Sequence, residues 1–214
     1  RNIFYKHSYA VAASFVLIFT ILTWFLINQF KEAETKEIYS TLITNFSEKK
    51  SLTLTDGSKI ILNANSSITY NPFSEENNIM EVQLKGEAYF DIVHNPNGKE
   101  RKFRVHTNDG LVEVLGTKFN VESRKQYTQV VLSAGKVRVS LENNEKKVIK
   151  YYLMKPGELT KFSSQENIFE IAKVNPEVYS SWINNRLIFD NTPLSVIKNR
   201  IENTYGVEVI IKDE

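Results

Sequence analysis

The chain has 214 residues, of which 42% are hydrophobic and 24% are charged, so its composition is that of a globular protein and excludes a largely disordered one. It contains no cysteine, which excludes disulfide bonds and thiolate zinc sites. The net charge of +2 arises from Arg1 and Lys6, since all other Lys and Arg residues lie after residue 30 together with all 25 Asp and Glu residues. No basic cluster typical of nucleic-acid binding is present, and we expect no nucleic-acid partner.

Residues 8–30 carry no charged side chain and are apolar around every face of a helix. About 20 such residues cross the roughly 30 Å hydrocarbon layer of a membrane. We therefore predict one transmembrane helix after a cytoplasmic flank at residues 1–7, because the slight Lys and Arg bias of the flanks favours an N-terminus inside. A cleaved signal peptide and a buried core helix are the alternatives, but the apolar stretch is long for a signal peptide and lacks an Ala-x-Ala exit.

Polar and charged residues fill positions 31–50, where we predict a juxtamembrane stalk. From residue 51 onward, short runs alternate apolar and polar side chains and recur about every 8–12 residues, which is typical of all-β domains. Most glycines fall between these runs, and Gly57 and Gly135 are predicted to occupy tight turns. We predict a mainly β protein with an all-β domain at 51–165. Its pattern fits both a two-sheet sandwich and a flattened β-solenoid.

The region 175–214 has a different pattern. Asn175 and Pro176 indicate the start of a short helix. A strand-like run at 187–191, a helix between Thr192 and Gly206, and a second strand-like run at 207–213 then predict a small β-α-β domain. The helix is indicated by apolar residues at helical spacing, namely Leu194, Ile197, Ile201 and Tyr205.

Catalytic and metal-binding patterns are weak. His7, His94 and His106 are scattered, so we expect no metal site and no cofactor. Glu87 and Asp91 would face the same side of one strand, whereas a glycosidase acid/base pair has to flank a cleft. Nucleophile-elbow and phosphate-loop motifs are absent from the sequence, and we expect the chain not to be an enzyme.

Several motifs occur in a fixed order along the chain: GEAYFDI at 86–92, KFRVHT at 102–107, LVEVLGTKFNV at 111–121, VVLSAGKVRV at 130–139 and KPGEL at 155–159. In these motifs the sequence resembles the FecR family of anti-sigma regulators. The preceding run at 52–70 is similar to the start of the FecR domain. Residues 182–214 resemble the small C-terminal domain, of the DUF4974 type, found in members from Bacteroidota.

The resemblance implies a single-pass protein of the bacterial plasma membrane with a cytoplasmic N-terminus and a periplasmic C-terminal domain. Its periplasmic partner would be the signalling domain of a TonB-dependent outer-membrane receptor. An N-terminal region preceding residue 1 would control an extracytoplasmic-function (ECF) sigma factor. The partner could add a strand to the β-α-β unit, although both strands could equally lie inside the small domain. The candidate partner-binding residues are Leu187, Ile188, Phe189, Val207, Val209 and Ile211.

The resemblance also implies a self-cleavage step, because some family members break the chain at a Gly-Thr step such as Gly116-Thr117. The Thr117 hydroxyl would attack the Gly116 carbonyl in an N-to-O acyl shift, and hydrolysis would follow. The sequence identifies no general base for this reaction, and a simple turn or bulge at Gly116 is the alternative.

A signal relay is therefore the function that we expect. A membrane-anchored periplasmic carbohydrate-binding module is the second hypothesis, since a β domain with exposed Tyr and Phe side chains could bind sugar. An anchored hydrolase is the third, and it requires a cleft with paired titratable groups.

Overall fold

The structure is a computed structural model that describes residues 13–25, 38–72, 79–94, 101–124 and 127–212. The chain divides into two compact units, Arg1–Glu37 and Ile38–Glu214. In the first unit, residues 13–25 form a helix, α1, whose apolar side chains are exposed on all sides. Within the described residues, no helix has both the length and the hydropathy needed to cross a membrane. Residues 8–12 and 26–30 of the predicted span lie outside the described residues, so the transmembrane helix stays a prediction.

The second unit contains thirteen β-strands among its described residues. Their bounds are β1 Ser40–Thr44, β2 Lys50–Thr53, β3 Lys59–Leu62, β4 Ser66–Tyr70, β5 Ile79–Ile92, β6 Lys102–His106, β7 Gly110–Val114, β8 Thr117–Ser123, β9 Thr128–Ala134, β10 Val137–Glu142, β11 Val148–Met154, β12 Glu158–Ser163 and β13 Ile168–Lys173. The prediction of a mainly β protein is confirmed.

The strands form two sheets that share the long strand β5. The first sheet has the order β1-β4-β5-β6-β7-β10-β11, and the second has the order β2-β3-β5-β8-β9-β12-β13. Every described pair is antiparallel except β5 and β6. The chain passes repeatedly from one sheet to the other, so a single curled sheet folds over on itself in two layers.

One apolar core fills the space between the layers, and Phe90 lies at its centre. The Phe90 ring is 5.8 Å from that of Phe103 in the first sheet and stacks at 4.9 Å on that of Phe119 in the second. All three rings are fully buried or nearly so. Along each strand, apolar side chains that face this core alternate with polar ones that face outward. The period-two alternation in the sequence therefore reflects which side chains face the core.

Two glycines occur where the chain changes sheet and no side chain would fit. Gly86, inside β5, has a φ of +94°, and a Cβ there would lie 2.3 Å from Ser66 Oγ. Gly135, between β9 and β10, has a φ of +92°, and its Cβ would lie 2.6 Å from the Gly116 oxygen. These close approaches require glycine, and the tight turn predicted at Gly135 is confirmed.

Three parts of the strand prediction need correction. Residues 40–50 of the predicted stalk belong to the β domain, because β1 pairs with β4 and β2 begins at Lys50. The runs at 80–86 and 88–93 are one strand that bends at Gly86 and pairs in both sheets. β13 lies beyond the predicted boundary at residue 165 and completes the second sheet.

A C-terminal segment, residues 175–212, follows the sheets. It contains α2 (Pro176–Ser180), a 3-10 turn (Ser181–Asn184) and α3 (Leu194–Tyr205). Both predicted helices are confirmed, as are the cap at Asn175 and the left-handed stop at Gly206, with a φ of 70°. The predicted strands at 187–191 and 207–213 are wrong for the described residues, which reach 212, because neither run pairs with a neighbouring strand. Without a neighbouring strand to accept and donate the ladder hydrogen bonds, both runs are irregular chain.

Candidate functional site

The C-terminal segment packs against the outer face of the second sheet. α2 lies against β9, and Trp182 is only 5% exposed. Outward-facing side chains of this sheet, which would otherwise contact water, are buried as well, namely Glu87, Asn120, Val131 and Leu159. The segment is thus a cover over one face of the β domain.

The connection between β1 and β2, residues 45–49, holds this segment at two places. Lys49 Nζ donates to the backbone oxygens of Trp182 at 2.9 Å and Ile183 at 3.0 Å, and to Asn185 Oδ1 at 2.6 Å. These oxygens lie where the 3-10 turn ends, and a cation is favourable there because helical carbonyls point toward it. The lysine therefore acts as a cap supplied from a distant part of the chain.

The second contact is at the end of α3. The Ser47 N–H donates to the Thr204 oxygen at 2.7 Å. A Cβ at Gly206 would lie 2.7 Å from Phe46 Cγ, so the Phe46 ring packs directly on this glycine. One short connection therefore contacts both the 3-10 turn and the end of α3 in the C-terminal segment.

A carboxyl group is buried beneath the segment. Glu87 is 4% exposed, and its two oxygens accept hydrogen bonds from Asn63 Nδ2 at 2.7 Å and Asn120 Nδ2 at 2.9 Å. Burial raises the pKa of Glu87, and the negative charge of Glu122, directly opposite on β8, raises it further, while Arg200 of α3 acts in the other direction. The hydrogen bonds from Asn120 and Asn63 also lower the pKa of Glu87, but burial and Glu122 outweigh them, so the pKa lies above its ordinary value.

Beside this carboxyl group lies a cavity of about 680 Å³ between the second sheet and the C-terminal segment. The sheet contributes Glu122, Tyr127 and Lys161, and the segment contributes Tyr179 and Arg200. Lys161 Nζ lies 4.1 Å from the centre of the Tyr127 ring, and the Arg200 guanidinium lies 5.7 Å from that of Tyr179. Polar and charged groups of both walls thus converge on one concave space.

The residues considered for metal or acid/base chemistry do not come together. His94 Nδ1 lies 3.3 Å from the Leu115 oxygen, and His106 faces Glu81 at 3.4 Å, while His7 is outside the described residues. Asp91 pairs with Lys118 at 2.9 Å, separately from the cluster around Glu87. In the described part of the chain, no three potential ligands are grouped as a metal site would require.

The Gly116-Thr117 step forms the corner where the chain enters β8. The Thr117 hydroxyl donates to the Lys136 oxygen at 2.9 Å, and the side chain is buried. A Cβ at Gly116 would lie 2.5 Å from His94 Cβ, so this corner packs against the chain after β5. This arrangement explains why glycine and a small hydroxyl residue stand there, and self-cleavage stays a prediction.

The predicted partner-binding residues differ in exposure. Leu187, Ile188 and Phe189 are half-buried where the irregular chain crosses the β domain. Val207 is 50% and Ile211 41% exposed, whereas the Val209 N–H donates to Glu202 Oε1 at 2.9 Å. Sequence reasoning missed Lys49, Asn63, Asn120 and Arg200, which carry the contacts described above, because no local pattern distinguishes them.

A comparison of the sequence with models of known protein families finds a match within the β domain. The model of the family described as "FecR protein" matches residues 40–138, which run from β1 into β10. The chain therefore contains a FecR domain at residues 40–138. Its FecR domain therefore begins at β1, inside the region that the sequence pattern placed in the stalk.

Solved structures extend the similarity beyond the matched residues. Two crystal structures of a candidate anti-sigma factor from Parabacteroides distasonis ATCC 8503 superpose with TM-scores of 0.68. One is 24% identical and covers 79% of this chain and 76% of its own, and the other is 25% identical and covers 78% and 75%. No curated protein matches the chain. The fold of this chain is thus similar to theirs beyond residue 138.

Proposed function

We propose that this FecR protein is a membrane-spanning anti-sigma factor that relays the state of a TonB-dependent outer-membrane receptor to an ECF sigma factor. The observation that supports this proposal best is the FecR domain at residues 40–138, together with the similarity to a candidate anti-sigma factor over 79% of the chain. The sigma factor would be bound in the cytoplasm by chain N-terminal to the span. The described β domain and C-terminal segment would lie in the periplasm. Such a relay needs no catalysis.

The exposure of α1 supports a membrane location for residues 8–30. Large apolar side chains cover the helix on every side and are more than half exposed, among them Phe15 at 69%, Phe19 at 67% and Trp24 at 65%. A helix that is apolar all round is stable when it is buried, and the hydrocarbon layer supplies such an environment.

An exposed apolar surface on the C-terminal segment supports a protein partner. Leu194 and Tyr205 of α3 are 57% and 50% exposed, and Ile210 is 73% exposed. These exposed apolar side chains lie along α3 and the chain that follows it, and exposed apolar surface is typical of a docking region. We propose that the periplasmic signalling domain of the receptor binds here.

The two contacts of residues 45–49 support a route for the signal. This connection follows the predicted span in sequence and touches the 3-10 turn and the end of α3 in the segment to which the partner would bind. A partner that displaced the segment would release Lys49 and Ser47 and would loosen the chain nearest the membrane. Proteases would then reach residues 31–50 more easily.

A capture experiment tests this function. The full chain in non-ionic detergent is presented to the periplasmic signalling domains of TonB-dependent receptors from the same cell, and we expect one of them to bind with micromolar affinity or better. Ile210→Asp should weaken binding about tenfold or more, because it places a charge in the proposed surface. Ile149→Asp on β11, 61% exposed in wild type, is the matched control and should bind normally.

Absence of binding to every signalling domain would contradict the relay. Affinity for a neutral oligosaccharide in the same experiment would favour the alternative function, a membrane-anchored carbohydrate-binding module. The cavity with Tyr127 and Tyr179 is the feature that could serve such a module.

A further inference from the structure

The cavity beside Glu87 has the size and composition of a ligand site. Its volume of about 680 Å³ falls within the range of roughly 300–1,000 Å³ typical of small-molecule pockets. Glu122, Gln129 and Lys161 lie side by side on neighbouring strands of the sheet wall. The helices of the C-terminal segment form the facing wall.

Positive charge predominates in the cavity. The lining cations are Lys85, Arg124, Lys161 and Arg200, and the lining carboxylates are Glu122 and Asp190. Arg124 Nε binds Glu122 Oε1 at 3.1 Å, so this pair is internally neutral. Within the described residues, none of the other three cations forms an ion pair with a carboxylate. The excess positive charge is therefore available to an anion.

Two of these three cations, Lys161 and Arg200, are positioned by tyrosine rings. Lys161 and Arg200 lie over the rings of Tyr127 and Tyr179, an arrangement in which the negative face of the ring attracts the cation. Burial raises the pKa of both tyrosines, so their hydroxyls remain neutral donors. Neither hydroxyl has a hydrogen-bond partner among the described residues.

Amide side chains supply the rest of the polar lining. Asn108, Gln129, Asn199 and Asn203 all contribute to the cavity, and in the described part of the chain their amide groups form no hydrogen bond with protein. An amide both donates and accepts, which matches a sugar hydroxyl, whereas a lone cation matches a carboxylate. A ligand that carries both hydroxyl groups and a carboxylate would therefore pair with both kinds of side chain.

We propose that this cavity binds a small acidic sugar of the uronic acid type. Lys161 and Arg200 hold its carboxylate, and the amides and the two tyrosine hydroxyls hold its hydroxyl groups. Because the cavity is closed on one side by the C-terminal segment, a bound sugar bridges that segment to the second sheet and stabilises their contact. The inference is independent of the receptor relay, since it concerns a different surface.

Isothermal titration calorimetry on the full chain in non-ionic detergent tests the proposal, with D-galacturonate, D-galactose, acetate and inorganic phosphate as probes. We expect D-galacturonate to bind and each of the other probes to bind at least about tenfold more weakly, because each lacks either the carboxylate or the hydroxyls. Equal affinity for D-galactose would overturn the role of the cations. Equal affinity for acetate or phosphate would overturn the sugar specificity, and failure of all probes would overturn the site.

A matched pair of variants localises the binding. Lys161→Gln removes the charge but keeps a hydrogen-bonding side chain, and it should weaken D-galacturonate binding about tenfold. Lys118→Gln is the control, because Lys118 lies on β8 of the same sheet and pairs with Asp91 at 2.9 Å outside the cavity. Wild-type affinity in Lys161→Gln would overturn the proposal. Receptor capture should be unchanged in both variants, so failure of the sugar site and failure of the relay are distinguishable.

Discussion

The β domain and the C-terminal segment are held in place by different interactions. The domain has a continuous apolar core between its two sheets, centred on Phe90. In the segment, Ser181 and Trp182 are the buried residues of the described range 175–212. Hydrogen bonds from Lys49 and Ser47 supply much of the remaining attachment.

This difference suits a relay. A dry core makes unfolding cooperative, so the β domain behaves as one rigid body. A segment attached by one indole ring and a few polar contacts can separate from that body at a much lower free energy. The four predictions below test this contrast, from the largest expected effect to the smallest.

The first prediction concerns the core. Phe90→Ala should lower the free energy of unfolding by about 3–5 kcal/mol, because it leaves a cavity between Phe103 and Phe119. Urea denaturation followed by circular dichroism measures the change. Leu153→Ala on β11, 62% exposed in wild type, is the control and should cost about 0.5 kcal/mol or less. Similar losses in both variants would mean that the two layers are not packed as described.

The second prediction concerns the attachment of the segment. Trp182→Ala should speed amide hydrogen exchange throughout α2 and α3 and leave β5 and β8 protected, because the indole packs on the outside of the sheet. We expect local opening to become easier by about 2–3 kcal/mol. This is below the usual cost of removing a buried ring, since the indole N–H is buried without a partner in the described residues. Equal loss of protection in β5 would show that the segment is part of the core.

The third prediction concerns the cap of the 3-10 turn. Lys49→Met keeps the length of the side chain but removes the three hydrogen bonds to Trp182, Ile183 and Asn185. Because Lys49 is partly exposed and water replaces some of these bonds, we expect easier opening of residues 181–186 by about 1 kcal/mol. Lys59→Met, at an exposed position of β3, is the control. Unchanged hydrogen exchange in Lys49→Met would remove this lysine from the attachment.

The fourth prediction concerns pH. The folded-state pKa of Glu87 is raised above its ordinary value of 4.5 by burial and by Glu122. The neutral carboxyl is thus favoured in the folded protein, so its contribution to stability is complete below pH 4.5 and is lost as the pH rises through the folded pKa. Glu87→Gln should remain as stable as wild type at pH 4 and become more stable than wild type at pH 7.

Thermal unfolding of both proteins across this pH range measures the effect. Glu166→Gln, which neutralises an exposed carboxylate, should follow the wild-type curve. A Glu87→Gln variant that is less stable at every pH would indicate that the ionised carboxylate is required by Asn63 and Asn120.

The strand pattern could be predicted well wherever one face of a strand is buried. The alternation at 59–62, 102–106 and 118–123 corresponds directly to β3, β6 and β8, because the period of two is a local property of the chain. The pattern missed β1 and β13, two edge strands in which Thr44 is the one fully buried residue. It also failed at 187–191 and 207–212, where apolar alternation is present but no neighbouring strand completes a sheet.

The candidate site could not be predicted in the same way. Glu87 and Glu122 face each other because of the register of β5 with β8, and Lys49 reaches Trp182 across 133 positions of sequence. Neither relation follows from local spacing, since register and long-range docking depend on the whole fold.

By itself, the sequence determined the apolar stretch at 8–30, the mainly β class, the helices after residue 175 and the FecR motifs, because these depend on composition and on spacing over a few residues. Only the tertiary structure decided that β5 belongs to both sheets, that residues 45–49 hold the C-terminal segment, and that Glu87 is buried beside a positively charged cavity. The physical reason is that burial and hydrogen-bond partners are properties of packing, and residues distant in sequence supply them.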